Sequence, residues 1–156
     1  MCMAFYLGAD KELPLVPWDD TNPAFNVAQL SENESKVTKH FSKPFIYYFG
    51  SDTFCGCNFR YGERWDQYEY QLTLYSKEEL EQHQKNHDGL NAYLEKHCSG
   101  MDSIEIYGCW SGDENCTPEK NVEISFDRLK NERFYFEERG FYVIKMKSPD
   151  NRVPST

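Results

Sequence analysis

The chain has 156 residues and 18.4 kDa, enough for one hydrophobic core, and 16% of its residues are aromatic, so that core is ring-lined. Acidic residues outnumber basic ones 26 to 17, giving a formal charge of -9 without a dense Lys/Arg cluster. That balance argues against a phosphate-backbone or anionic-membrane partner, and no run of apolar residues reaches membrane-spanning length. Partners are therefore expected to be a protein or a small molecule, not nucleic acid or membrane.

In chain order, Cys2 to Leu7 reads as a first strand closed by Gly8, with Cys2 as its buried end. The segment "DKELPLVPWDDTNPAF" is expected to be irregular because of its three prolines, with Trp18 as its anchor. Residues 25–42 fit a hairpin turning at Glu32-Asn33 slightly better than a helix, since Val27, Val37, Thr38 and Phe41 favour strand. Phe45 to Phe49 is a strand of aromatic and β-branched residues, and the tight turn Cys55-Gly56-Cys57 follows it. "YEYQLTLY" (68–75) alternates apolar and polar side chains and reads as a strand with one wet side.

Ser76 and Glu79 form a capping-box signature that opens a helix. Its apolar stripe is Leu80, His83, His87, Leu90, Leu94 and Cys98, with Asp88-Gly89 as a weak point and Gly100 as the stop. "SIEIYGCW" (103–110) and "VEISF" (122–126) are strands around the acidic loop "SGDENCTPEKN". The end reads as a hairpin, "RFYF" to "FYVIKM", turned by Glu137-Glu138-Arg139-Gly140. Strands, one main helix and more strands predict an α+β fold: a largely antiparallel sheet with the helix on one face. Residues 1–147 are expected to form a single domain and 148–156 a flexible tail.

Six cysteines without an export-type leader predict reduced thiols and a cytoplasmic location. Cys-Gly-Cys is tighter than the C-x2-4-C spacing of zinc clips, so zinc there needs ligands from elsewhere, with Cys109 and Cys116, or Cys98 with His83 or His87, as the candidates. A thiol-redox role would use Arg60 or Arg64 to stabilise a thiolate. The simplest alternative makes the cysteines small packing residues, with Gly56 supplying a permissive dihedral. His83 and His87 have i,i+4 spacing, but "HQKNH" lacks the glutamate of H-E-x-x-H, which favours packing over metal binding. Asp113 and Glu114 read as solvated loop acids.

Met1-Cys2 opening a strand resembles the start of class II glutamine amidotransferase domains, with Met3 in place of glycine after the cysteine. The resemblance covers those residues alone and would imply an N-terminal-cysteine hydrolase, with Cys2 as nucleophile after loss of Met1.

If the chain has a ligand site, it is expected where "FCGCNFRYGERW" meets "YGCWSGDE". That region brings together Cys55, Cys57, Arg60, Arg64, Trp65, Cys109, Trp110, Asp113 and Glu114, with Phe54, Phe59 and Tyr61 as further ring walls. The composite expectation is a small binding or protein-interaction domain rather than an enzyme, with the terminal hairpin as the candidate edge for pairing two subunits into a homodimer. Metal-binding or thiol-redox chemistry is the rival. The rival requires Cys55, Cys57 and Cys109 to converge; the interaction reading requires scattered, buried thiols and an exposed aromatic patch.

Overall fold

The computed structural model describes residues 2–59, 76–131 and 134–147. The strand expected at 68–75, the residues Arg60, Tyr61, Arg64 and Trp65, and the tail 148–156 lie outside them. Strands β1 (Met3–Ala9), β2 (Asn26–Ala28) and β3 (Phe45–Gly50) come first, then helix α1 (Lys77–Cys98). After it come β4 (Ser103–Trp110), β5 (Lys120–Ser125), the short helix α2 (Phe126–Asn131) and β6 (Gly140–Lys145). They form one six-stranded sheet in the order β2-β3-β1-β4-β6-β5, antiparallel except for the β5–β6 pair. This is the expected α+β class.

Strand periodicity divides the sheet into two faces. Met3, Phe5, Leu7 and Ala9 of β1 join Phe49, Ile104, Ile106, Tyr142 and Ile144 on the face covered by α1. Ala4 and Tyr6 join Tyr48, Tyr107, Cys109 and Phe141 on the other face, which packs against Val37 and Phe41. α1 starts with the expected capping box, Ser76 Oγ accepting the Glu79 N–H while Glu79 accepts the Ser76 N–H. Its buried side includes His83, His87, Leu90, Leu94 and Cys98. The helix runs unbroken through Gly89, because that glycine is a contact rather than a weakness. A Cβ there would sit 2.8 Å from the Cβ of Phe25, so its absence lets the loop before β2 close against the helix.

Three local expectations are corrected. Residues 25–42 are not a hairpin. After β2 the chain turns through a 3₁₀ helix at Glu34–His40, where Val37 is sunk into the second face, Ser31 and Glu34 bond each other, and Ser35 Oγ–H donates to Glu32 O. Among the described residues the terminal hairpin does not form either. β6 pairs with β4 antiparallel and with β5 in parallel, while Phe134 and Phe136 precede it as buried core residues outside any strand. The left-handed residue of its turn is Arg139 (φ 55), which donates its N–H to Gly108 and hydrogen-bonds Thr117 through its side chain. Gly100 is exposed, and the helix ends at Ser99 in right-handed backbone rather than on a left-handed glycine.

Candidate metal centre

β3 and β4 both run antiparallel to β1, one on each side of it, so both leave the sheet where β1 enters it. The Cys-Gly-Cys turn after β3 and the acidic loop after β4 therefore lie at the same end of the sheet. The start of β1 is between them: Gly56 N–H donates to Met3 O (2.8 Å) and Ser111 N–H donates to Cys2 O (2.8 Å). Cys2, outside the expected set except as a terminal nucleophile, thus joins the pair. The sulfur atoms of Cys2, Cys55 and Cys57 all lie within 4.8 Å of one another. Cys2 is exposed rather than buried, and the other two are half-buried.

The turn is held by its neighbours on every side. Ser51 donates both N–H and Oγ–H to Cys55 O, and Asp52 exchanges hydrogen bonds with Asn86 of α1 and accepts from Asn58. Phe59 ends the segment as a fully buried anchor, packed edge-on to Phe5, Phe49 and Phe25. Gly56 is needed for closeness, not for its dihedral: a Cβ would fall 2.3 Å from Cδ2 of Phe5. The left-handed residue here is Phe54 (φ 70), a conformation uncommon for a bulky side chain. It holds an exposed ring edge-on to Trp18, whose Nε1–H bonds Asp52 O, so Trp18 is the anchor of its loop as expected.

The three thiols are not equivalent. Burial pushes the Cys55 thiol up, but the Cys57 backbone N–H, the Thr53 hydroxyl and the thiols of Cys57 and Cys2 outweigh it, so it lies below the ordinary range. Burial pushes the Cys57 thiol up, and the adjacent Cys55 sulfur adds to that, against a 3.3 Å hydrogen bond from Met3 N–H. Cys55 therefore gives up its proton more readily than Cys57. Three sulfurs at this spacing can hold a metal ion.

The other expected ligands lie elsewhere. Cys109 pairs with Ala4 on the opposite face of the sheet, so strand alternation turns its sulfur away from the trio, and burial pushes its thiol up to about 12. His83 and His87 are buried on α1; His87 is edge-on to Phe59, and burial lowers His83 despite the carboxylates of Asp52 and Glu79. Neither is part of the sulfur cluster. Trp110 packs half-buried against the α1-side core. Glu114 is not a solvated acid: it is buried, accepting from Tyr6 Oη (3.1 Å) and Gly112 N–H (3.0 Å), with His40 Nε2 on its carbonyl. Asp113 is half-buried and accepts the Cys116 N–H, closing the same loop. Of the rings expected to wall a pocket, Phe59 is buried in the core and Phe54 is exposed, while Tyr61 and Trp65 lie outside the described residues.

No family model, no curated protein and no solved structure matches the chain. No helix among the described residues is long and apolar enough to cross a membrane.

Proposed function

We propose that the chain is a metal-binding protein whose centre is formed by the thiolates of Cys2, Cys55 and Cys57. The observation that carries this reading is the convergence of three sulfurs from two separate segments at a half-open edge. Thiolate ligands favour thiophilic ions such as zinc. The generic interaction module expected from the sequence required all thiols to be scattered and buried, and this trio is neither. A second reading, a thiol-redox centre, draws on the lowered Cys55 thiol beside two others.

The test is elemental analysis of tag-free protein purified without chelator, paired with a count of reactive thiols before and after chelator. A near-stoichiometric thiophilic metal, lost in Cys57→Ser and kept in Cys109→Ser, is the expected result. Metal-free protein that takes up none when reduced would overturn it. Fast-reacting thiols would then favour the redox centre, and thiols silent until denaturation would favour an interaction module.

A further inference from the structure

Resting on the metal-binding reading, we propose that the centre selects a soft monovalent ion of the copper(I) class, held three-coordinate by Cys2, Cys55 and Cys57.

The ligand inventory carries this. All six cysteines and all four histidines lie among the described residues, so every thiolate and imidazole in the chain has a known place. Only three of them converge. Cys98 is on α1 in the first core, Cys109 is under the opposite face, and Cys116 sits in the loop whose carbonyl accepts from Tyr107. A structural zinc site is tetrahedral and closed by four protein ligands. Here the fourth cysteine or histidine is missing, and no carboxylate among the described residues joins the cluster. Among the described residues the donor set is sulfur alone, without the nitrogen and oxygen ligands that borderline ions also use, and that set matches a soft d10 monovalent ion.

The distances agree. Sulfurs around a metal at about 2.3 Å in a trigonal plane lie about 4.0 Å apart. The trio, already within 4.8 Å, needs only a small inward side-chain movement. The surrounding donors suit thiolates: the Met3 N–H points at Cys57 Sγ (3.3 Å), and the Thr53 hydroxyl and Cys57 N–H approach Cys55. A monovalent ion leaves more negative charge on three thiolates than zinc would. Those N–H and O–H donors, and the exposure of Cys2, offset it. The exposed side also gives the ion a way in and out.

The experiment offers reduced, metal-free full-length protein copper(I) and zinc(II) under anaerobic conditions, alone and in competition, and reads the coordination shell by X-ray absorption at each metal edge. Copper with three sulfur neighbours is expected, falling to two in Cys2→Ser, a substitution at an exposed position that leaves the far-UV circular dichroism unchanged. Zinc is expected with three sulfurs and one lighter atom, and to be displaced by equimolar copper(I). Two sulfurs on copper irrespective of Cys2→Ser, or zinc that equimolar copper(I) does not displace, would overturn the ion assignment while leaving the metal-binding reading intact. Failure to take up either ion would overturn the reading beneath it.

Discussion

Two groups of cysteines in this molecule have the same side chain and opposite circumstances. Cys98 and Cys109 sit inside regular elements, where helical and strand periodicity point them into the two cores, and burial holds both thiols protonated, with Cys98 pushed up to about 11 and Cys109 to about 12. Cys2, Cys55 and Cys57 sit outside the strands and α-helices, one before β1 and two after β3, with Cys57 opening a single 3₁₀ turn to Phe59, and no strand or α-helical periodicity assigns them a face. The difference teaches that a cysteine within a repeat is placed by packing, whereas one at the open end of a strand is placed by whatever the sheet topology puts beside it.

Serine substitution separates the groups most sharply. Cys57→Ser is expected to lower metal affinity by about a hundredfold or more, since even residues that only support a ligand cost about 10–100-fold. At a metal concentration that gave the intact site about 2.7 kcal/mol of ligand stabilisation, most of that gain disappears. Cys109→Ser should leave affinity unchanged. Instead it places a hydroxyl in an apolar face and costs about 1–3 kcal/mol of folding free energy. Chemical denaturation with and without metal reads both effects, and a Cys57→Ser protein that still gains full stability from metal would erase the distinction.

Gly56→Ala tests whether the trio is held by the core beneath it. The added methyl meets the Phe5 ring and the Met3 carbonyl, at 2.3 and 3.0 Å. Neither can retreat easily, because Phe5 is fully buried and stacked on Phe49, and Met3 is paired with Trp110. A loss of about 1–3 kcal/mol is expected, with weakened metal binding although no ligand is touched. Native-like stability together with intact binding would mean that the turn is not clamped to β1.

Much of the fold was legible because it is written in local patterns. The Ser76 capping box, the stripe from His83 to Cys98 and the apolar runs of β1, β3 and β4 each stand on short-range chemistry. The hairpin expected at 25–42 failed because Val37 and Thr38, although β-branched, lie in a segment where the serine and glutamate side chains bond the backbone and wind it into a 3₁₀ helix. The terminal hairpin failed because Phe134 and Phe136 satisfy a core rather than a ladder. The half of the centre made by Cys55 and Cys57 was visible as a motif. Its third member was not: Cys2 reaches them only because β1 enters the sheet between β3 and β4, and strand order is a long-range property that no local spacing encodes. Cys109 was a natural but mistaken third ligand, since it stands at the correct end of β4 on the wrong face.

The smallest effect is a slope. A thiol whose folded pKa exceeds its unfolded value stays protonated in the native state while the unfolded chain ionises, so the unfolded state binds fewer protons and stability falls as pH rises. For Cys109 the contribution is complete below the ordinary value of 9.0 and is lost as pH rises through about 12; for Cys98 the loss ends near 11. The buried hydroxyls of Tyr6, Tyr48, Tyr93 and Tyr107, all pushed up chiefly by burial, act in the same direction at higher pH. Total alkaline sensitivity therefore does not isolate the cysteines, but a difference between variants does. Urea midpoints measured at several pH values from 8 to 11 should fall less steeply in Cys109→Ala than in the parent, even though the variant starts from lower stability. Replacing Cys55 and Cys57 together should change the slope less, because one thiol is held below the ordinary range and the other above it. Equal slopes in Cys109→Ala and its parent would mean that the Cys109 thiol ionises as readily in the fold as out of it, and the contrast between packed and open cysteines would then be one of position alone.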